Sequence, residues 1–225
     1  MVRSLPVILL LIASSFLAAS QSQAPAATGE DVAAVSFTLD FPDSQPEHYS
    51  IRVPFAGPAH YQSSGRLSSD SDTTDSFEFA FSLSAETRSK VFALAEKAGY
   101  FQKDLDAHRK NLAFTGKKTL AYKDAQRAGE STYNFSSSAA VQELTALLQS
   151  LSTTLEFGHR LDYYRRYQKL ALDQELKRMQ EMAKNRSLIE VSAVQPVLEQ
   201  ILADPSVVNV TRARAQSLLG GSGSR

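Results

Sequence analysis

The chain has 225 residues, no cysteine and no tryptophan, and its 24 Lys and Arg balance 24 Asp and Glu. Zero net charge argues against bulk electrostatic capture of nucleic acid. The absence of cysteine excludes a disulfide scaffold and a lipid anchor on an N-terminal cysteine, so ordinary packing must hold the fold, which is feasible at this size.

Met1-Val2-Arg3 carries the first charge, Leu5 to Ala19 form an apolar run, and Ser20 to Ala24 are small or polar. This order predicts a secretory signal peptide over 1–24. Cleavage fits Ala18-Ala19-Ser20, Ser22-Gln23-Ala24 or Ala24-Pro25-Ala26. The apolar run falls short of the ~20 residues that a spanning helix needs, and no second run of its length follows. The expected product is therefore soluble, secreted or periplasmic, with no transmembrane helix after cleavage. An exported chain of this size without cysteine also points to a bacterial source.

Residues 25–34 read as a flexible leader. Val35 to Phe41, Tyr49 to Val53 and Phe77 to Phe81 alternate apolar with polar, the period of half-buried strands. Gly57-Pro58 marks a turn, and Gly65 to Asp75 is polar and reads as a loop. Ser84 is the N-cap of a helix over 84–98, which Gly99 ends. Residues 102–112 read as an irregular connection. Thr119–Tyr122 and Ser131–Phe135 predict two strands around a loop at Gln126–Gly129. Ser137 or Ser138 starts a helix with the stripe Val141, Leu144, Leu148, Leu151 and Leu155. Gly158 is expected to break or kink it. A long amphipathic helix is then predicted over 159–184, a further stretch over 188–203 with Pro196 in a first turn, and a last helix from Ser206 to Leu219.

The expected fold is α+β: antiparallel strands packed with two helices over 35–157, an all-helical extension over 159–219, and a disordered tail over 220–225. The arrangement of Phe81-Ser82-Leu83-Ser84, Val91-Phe92-Ala93-Leu94-Ala95 and Gly99-Tyr100-Phe101 resembles small secreted bacterial domains of unknown function built as two β-β-α units. The resemblance covers about 120 residues, consists of packing motifs and implies no activity.

Patterns that carry chemistry fail on inspection. No two histidines have helical metal spacing. Asp104, Asp106 and His108 alternate like ligands, but Lys103, Arg109 and Lys110 oppose a cation. Asp70, Asp72 and Asp75 lack the glycine and glutamate of a calcium loop. Gly116-Lys117-Lys118-Thr119 lacks the earlier glycine of a phosphate loop. No catalytic residue, cofactor site or metal site is assigned.

Charge is uneven, with 11 acids and 5 bases over residues 25–100 against 18 bases and 13 acids over 101–225. Its densest basic and aromatic patch is Arg160, Tyr163, Arg165, Arg166, Tyr167 and Lys169, the expected contact surface for an unidentified protein partner. The chain thus reads as an exported, non-enzymatic interaction or envelope-associated module. A small extracellular hydrolase and a peripheral membrane-surface protein are the alternatives. An exposed apolar stripe on helix 159–184 would favour a partner or self-association, whereas a stripe packed on the β-domain would remove the main support for the interaction reading. A pocket lined by two or more of Asp104, Asp106, His108 and His159 would favour an enzyme.

Overall fold

The computed structural model describes residues 33–42, 44–66 and 74–222. The expected signal peptide, most of the leader, and Asp70 and Asp72 lie outside the described residues. Six strands form one antiparallel sheet: β1 (Ala34–Asp40), β2 (His48–Pro54), β3 (Ala59–Arg66), β4 (Thr74–Phe81), β5 (Lys117–Lys123) and β6 (Ala128–Tyr133), in the spatial order β4-β3-β2-β1-β5-β6. Five helices accompany it: α1 (Ala85–Lys97), α2 (Ala139–Tyr167), α3 (Lys169–Lys184), α4 (Gln195–Ala203) and α5 (Asn209–Ser222). The expected α+β class is what the fold shows.

Alternation decides which sheet face is buried. Val35, Phe37 and Leu39 of β1, Tyr49, Ile51 and Val53 of β2, and Leu120 and Tyr122 of β5 point to the helices. The opposite face is open and polar. One rank across all six strands reads Glu78, Gln62, Ser50, Thr38, Thr119 and Thr132.

α1 and α2 cover the inner face. Ser84 caps α1 as expected, accepting a hydrogen bond from Thr87 N at 3.2 Å. The stripe of α2 is buried as predicted: Val141, Leu144, Leu148, Leu151 and Leu155 are all at most 1% exposed. At ~1.5 Å per residue, the 29 residues of α2 run about 43 Å, longer than a six-stranded sheet is wide at ~4.8 Å per strand. Its C-terminal part therefore serves as a wall for α3, α4 and the short turn before α4, while α5 packs on α3 and α4.

Several expectations change. Strand β3 was not foreseen, and it shortens the loop read from Gly65 to Asp75. Its inner positions are Ala59, Tyr61, Ser63 and Gly65, too polar and small to announce a strand. Gly65 is needed because a Cβ there would lie 2.8 Å from Glu47 N. The predicted 126–129 loop shifts, since β6 starts at Ala128. Ala34, placed in the leader, is buried in β1, and Gly220 to Ser222, placed in the tail, continue α5. That last helix starts at Asn209, three residues later than expected.

The largest correction concerns Gly158. The helix does not break there, so the boundary drawn between 157 and 159 falls inside α2. Glycine is present because Val194 packs against it: a Cβ would lie 2.5 Å from Val194 Cγ1. The reversal comes instead at Gln168, whose φ of −143° and ψ of 61° leave the helical region. The predicted single helix over 159–184 is thus the end of α2 plus α3. One continuous core holds both halves of the chain.

Gly158→Ala tests this reading. Alanine is the better helix former by ~1 kcal/mol, yet overpacking Val194 is expected to turn the balance to a net loss of about 1–2 kcal/mol. Adding Val194→Ala should recover part of that loss, measured by urea unfolding; a stabilised single variant would refute the contact.

Candidate functional site

Beside its leucine stripe α2 carries a second line of side chains: Thr145, Ser152, Glu156 and His159, spaced to share one helix face. Each meets the inner face of the sheet. Tyr133 and Thr145 share a hydroxyl hydrogen bond. Tyr61 donates its phenolic proton to Glu156 Oε1 at 2.8 Å, so Ser152, whose Oγ lies 2.9 Å from the Tyr61 hydroxyl, donates to Tyr61. Ser63 donates to Glu156 Oε1 at 2.7 Å.

Glu156 is the centre of the line and is 7% exposed. Its second oxygen faces His159 Nδ1 at 3.8 Å and Arg160 at 4.0 Å. His159 stacks on Phe77 with ring centroids 4.1 Å apart, and its Nε2 lies 3.2 Å from Asp75 Oδ2. Arg160 donates to Glu175 at 2.7 Å across to α3. Burial pushes the Glu156 carboxyl up, but the nearby His159 ring and the hydrogen bonds from Ser63 and Tyr61 outweigh it and hold the group below its ordinary value. Burial and the neighbouring Glu156 charge push the Tyr61 hydroxyl well up, so it stays a donor.

This is the densest chemistry in the described residues, and it is spent internally. Ser63 gives its proton to a carboxylate and not to a histidine, so it is not set up as a nucleophile. Glu156 Oε1 accepts from two hydroxyls, and a carboxyl held low is an acceptor and not a general acid. The recess over it, lined in part by Pro46, Arg66, Asp75 and His159, has a volume of about 20 Å³, room for one water. His159 is the only one of the four named pocket candidates there.

Asp104, Asp106 and His108 form a separate loop. His108 Nε2 lies 2.7 Å from Asp104, and Asp106 accepts from the backbone of Asn134 at 2.7 Å and of His108 at 2.6 Å. These bonds hold both carboxyls low and the imidazole high. The cluster anchors the connection to the end of β6. Among the described residues no group of His, Asp and Glu is arranged to hold a metal ion.

Of the six expected contact residues, Arg160 lies apart, in the Glu156 network. The other five gather where α2 turns into α3. Arg165 and Arg166 both pair with Asp162, at 3.0 and 2.6 Å, and Lys169 with Asp204 at 3.3 Å. Tyr163 is half-buried with its ring 5.1 Å from that of Tyr167. Tyr167 is 70% exposed and Leu170 98%. Lys169 reaches Asp204 and Ser206, and Asp173 reaches Thr211 and Arg214. The link between α4 and α5 therefore lies beside the start of α3, with Val208 on it 65% exposed and Val210, in the first turn of α5, 57% exposed.

Reasoning from sequence did not single out Tyr61, Ser63, Glu156, Glu175 or Leu170. The polar line Ser152, Glu156, His159 beside a leucine stripe was the available signal for the buried network. No signal foretold the turn at Gln168.

The chain matches no protein-family model, and no curated protein matches it significantly.

Glu156→Gln is expected to cost about 1–3 kcal/mol at pH 7, since it replaces a charged acceptor of two buried hydroxyls. The native carboxyl is held low, so its contribution is complete above the unfolded value of about 4.3 and is lost as pH falls through the folded value. The gap between wild type and variant should therefore close in acid, measured by urea unfolding at pH 7 and below pH 4. A gap that is constant with pH would refute the charged state.

Proposed function

We propose that the protein is an exported, non-enzymatic module that associates with the cell envelope through the end of its helical part. The export half of this reading rests on the signal-like order of residues 1–24. The contact half rests on one observation: Tyr167 and Leu170 stand exposed at a helix reversal that no glycine or proline imposes. Neighbouring exposed apolar side chains are what a contact surface presents.

The apolar stripe of the expected long helix, the main support for a docking role in the sequence, is buried in the core. Leu161, Leu172, Leu176 and Met179 are each 0% exposed within the core, so that stripe offers nothing to a partner. What is left is the α2–α3 elbow and the neighbouring α4–α5 link. The closed Glu156 network, with its one-water recess, supports a binding role over a hydrolytic one. Among the described residues no helix is long and apolar enough to cross a membrane.

Fractionation of the producing cells tests the proposal. The tagged wild type should leave the cytoplasm and pellet with the envelope. Tyr167→Ser combined with Leu170→Ser, both at exposed sites, should keep the fold and lower envelope retention by about tenfold or more. A wild type that stays in the cytoplasm, or a double variant retained equally, would refute it.

A further inference from the structure

The elbow presents more than apolar surface. Between residues 162 and 173 and between 204 and 214 stand five bases, Arg165, Arg166, Lys169, Arg212 and Arg214, against three acids, Asp162, Asp173 and Asp204. The pairing leaves charge over. Arg165 and Arg166 share the single carboxylate of Asp162. Lys169 takes Asp204 and Arg214 takes Asp173. Arg212 bonds the neutral amide of Asn209, and its Nε, like that of Arg165, is buried without a hydrogen-bond partner among the described residues. Two positive charges thus remain beside the exposed Tyr167, Leu170, Val208 and Val210.

The exposed apolar side chains stand at the turn itself, beside a recess of about 480 Å³ between α2 and α3 that is lined in part by Tyr164, Ala171 and Glu175. Two chain reversals, at Gln168 and at Asp204–Val208, meet here. At 98% exposure the Leu170 side chain touches almost nothing of its own chain, whereas a side chain lining a cleft is partly covered by the opposite wall. A tyrosine, protruding aliphatic side chains and surplus guanidinium groups at one end match the layers of an anionic lipid surface. The aliphatic groups enter the acyl boundary, the phenol sits at headgroup level, and the cations meet lipid phosphates.

We infer that this end of the helical part inserts Leu170 and Val208 into the surface of a membrane containing anionic lipids. The inference rests on the envelope-contact reading above and names its partner as lipid. The open sheet face, polar from Glu78 to Thr132, is the side that stays in water.

The absence of tryptophan makes the test direct, because one introduced indole is the only one in the chain. Leu170→Trp places it at the tip, and His60→Trp places it on the open sheet face. Each purified protein is mixed with phosphatidylcholine vesicles, with and without phosphatidylglycerol. Leu170→Trp emission should move to the blue on anionic vesicles, return on adding salt, and move at least several-fold less on neutral ones. His60→Trp emission should not move. The inference is overturned if Leu170→Trp does not respond, or if His60→Trp responds equally, which would mean adhesion through another part of the chain. Should the tip fail to bind vesicles while the Tyr167 and Leu170 serine variant still loses envelope retention in cells, the contact stands and its partner is not lipid.

Discussion

The fold depends on α2 being laid across the inner face of the sheet at one height. Each strand presents an apolar side that water must not reach, and the leucine stripe of α2 is the largest cover for it. A leucine stripe alone permits sliding by a turn. The buried carboxylate of Glu156 does not, since removing it from Tyr61 and Ser63 would strand a charge in the core. Packing thus supplies the cohesion, and one hydrogen-bonded anion supplies the register.

From that placement the attachment of the helical part follows. The far end of α2 meets Val194 through the missing side chain of Gly158, and Thr154 of α2 donates to the Ile189 carbonyl at 2.8 Å. Glu190 reaches back to the first turn of α1, where it accepts from the Ser84 backbone at 3.2 Å and from the hydroxyls of Ser84 and Thr87. A carboxylate there also suits the positive end of the α1 dipole. These ties hold the segment before α4 against both α1 and α2, so the helical part packs on the sheet domain through one core.

The legible parts of the sequence were those in which local pattern and tertiary demand agree. Phe77, Phe79 and Phe81 alternate because β4 buries one side, and Val141 to Leu155 repeat because α2 does. Strand β3 was illegible because its inner face is completed by others: Ser63 by Glu156 of α2, and Gly65 by the chain passing at Pro46 and Glu47. Gly158 was misread for the same reason, as its meaning lies with Val194, 36 residues on. The patch at 160–169 was half legible. Its composition stood out, but a sequence of alternating Arg and Tyr does not say that Arg160 turns inward to Glu156 and Glu175 while Tyr167 turns out.

By itself the sequence determined the α+β class, most element types, the capping of α1, the freedom from disulfides and the export-like N-terminal pattern. All of these follow from composition or from periods shorter than a few turns. Only the tertiary structure decided where the long helix reverses, which strand lies between β2 and β4, that the acidic and basic halves share one core, and that Glu156 joins them. Each of these joins residues far apart in the chain, and a contact of that kind leaves no period to read. The elbow belongs to both accounts: its residues were visible as a basic, aromatic cluster, and its exposure came from the turn at Gln168.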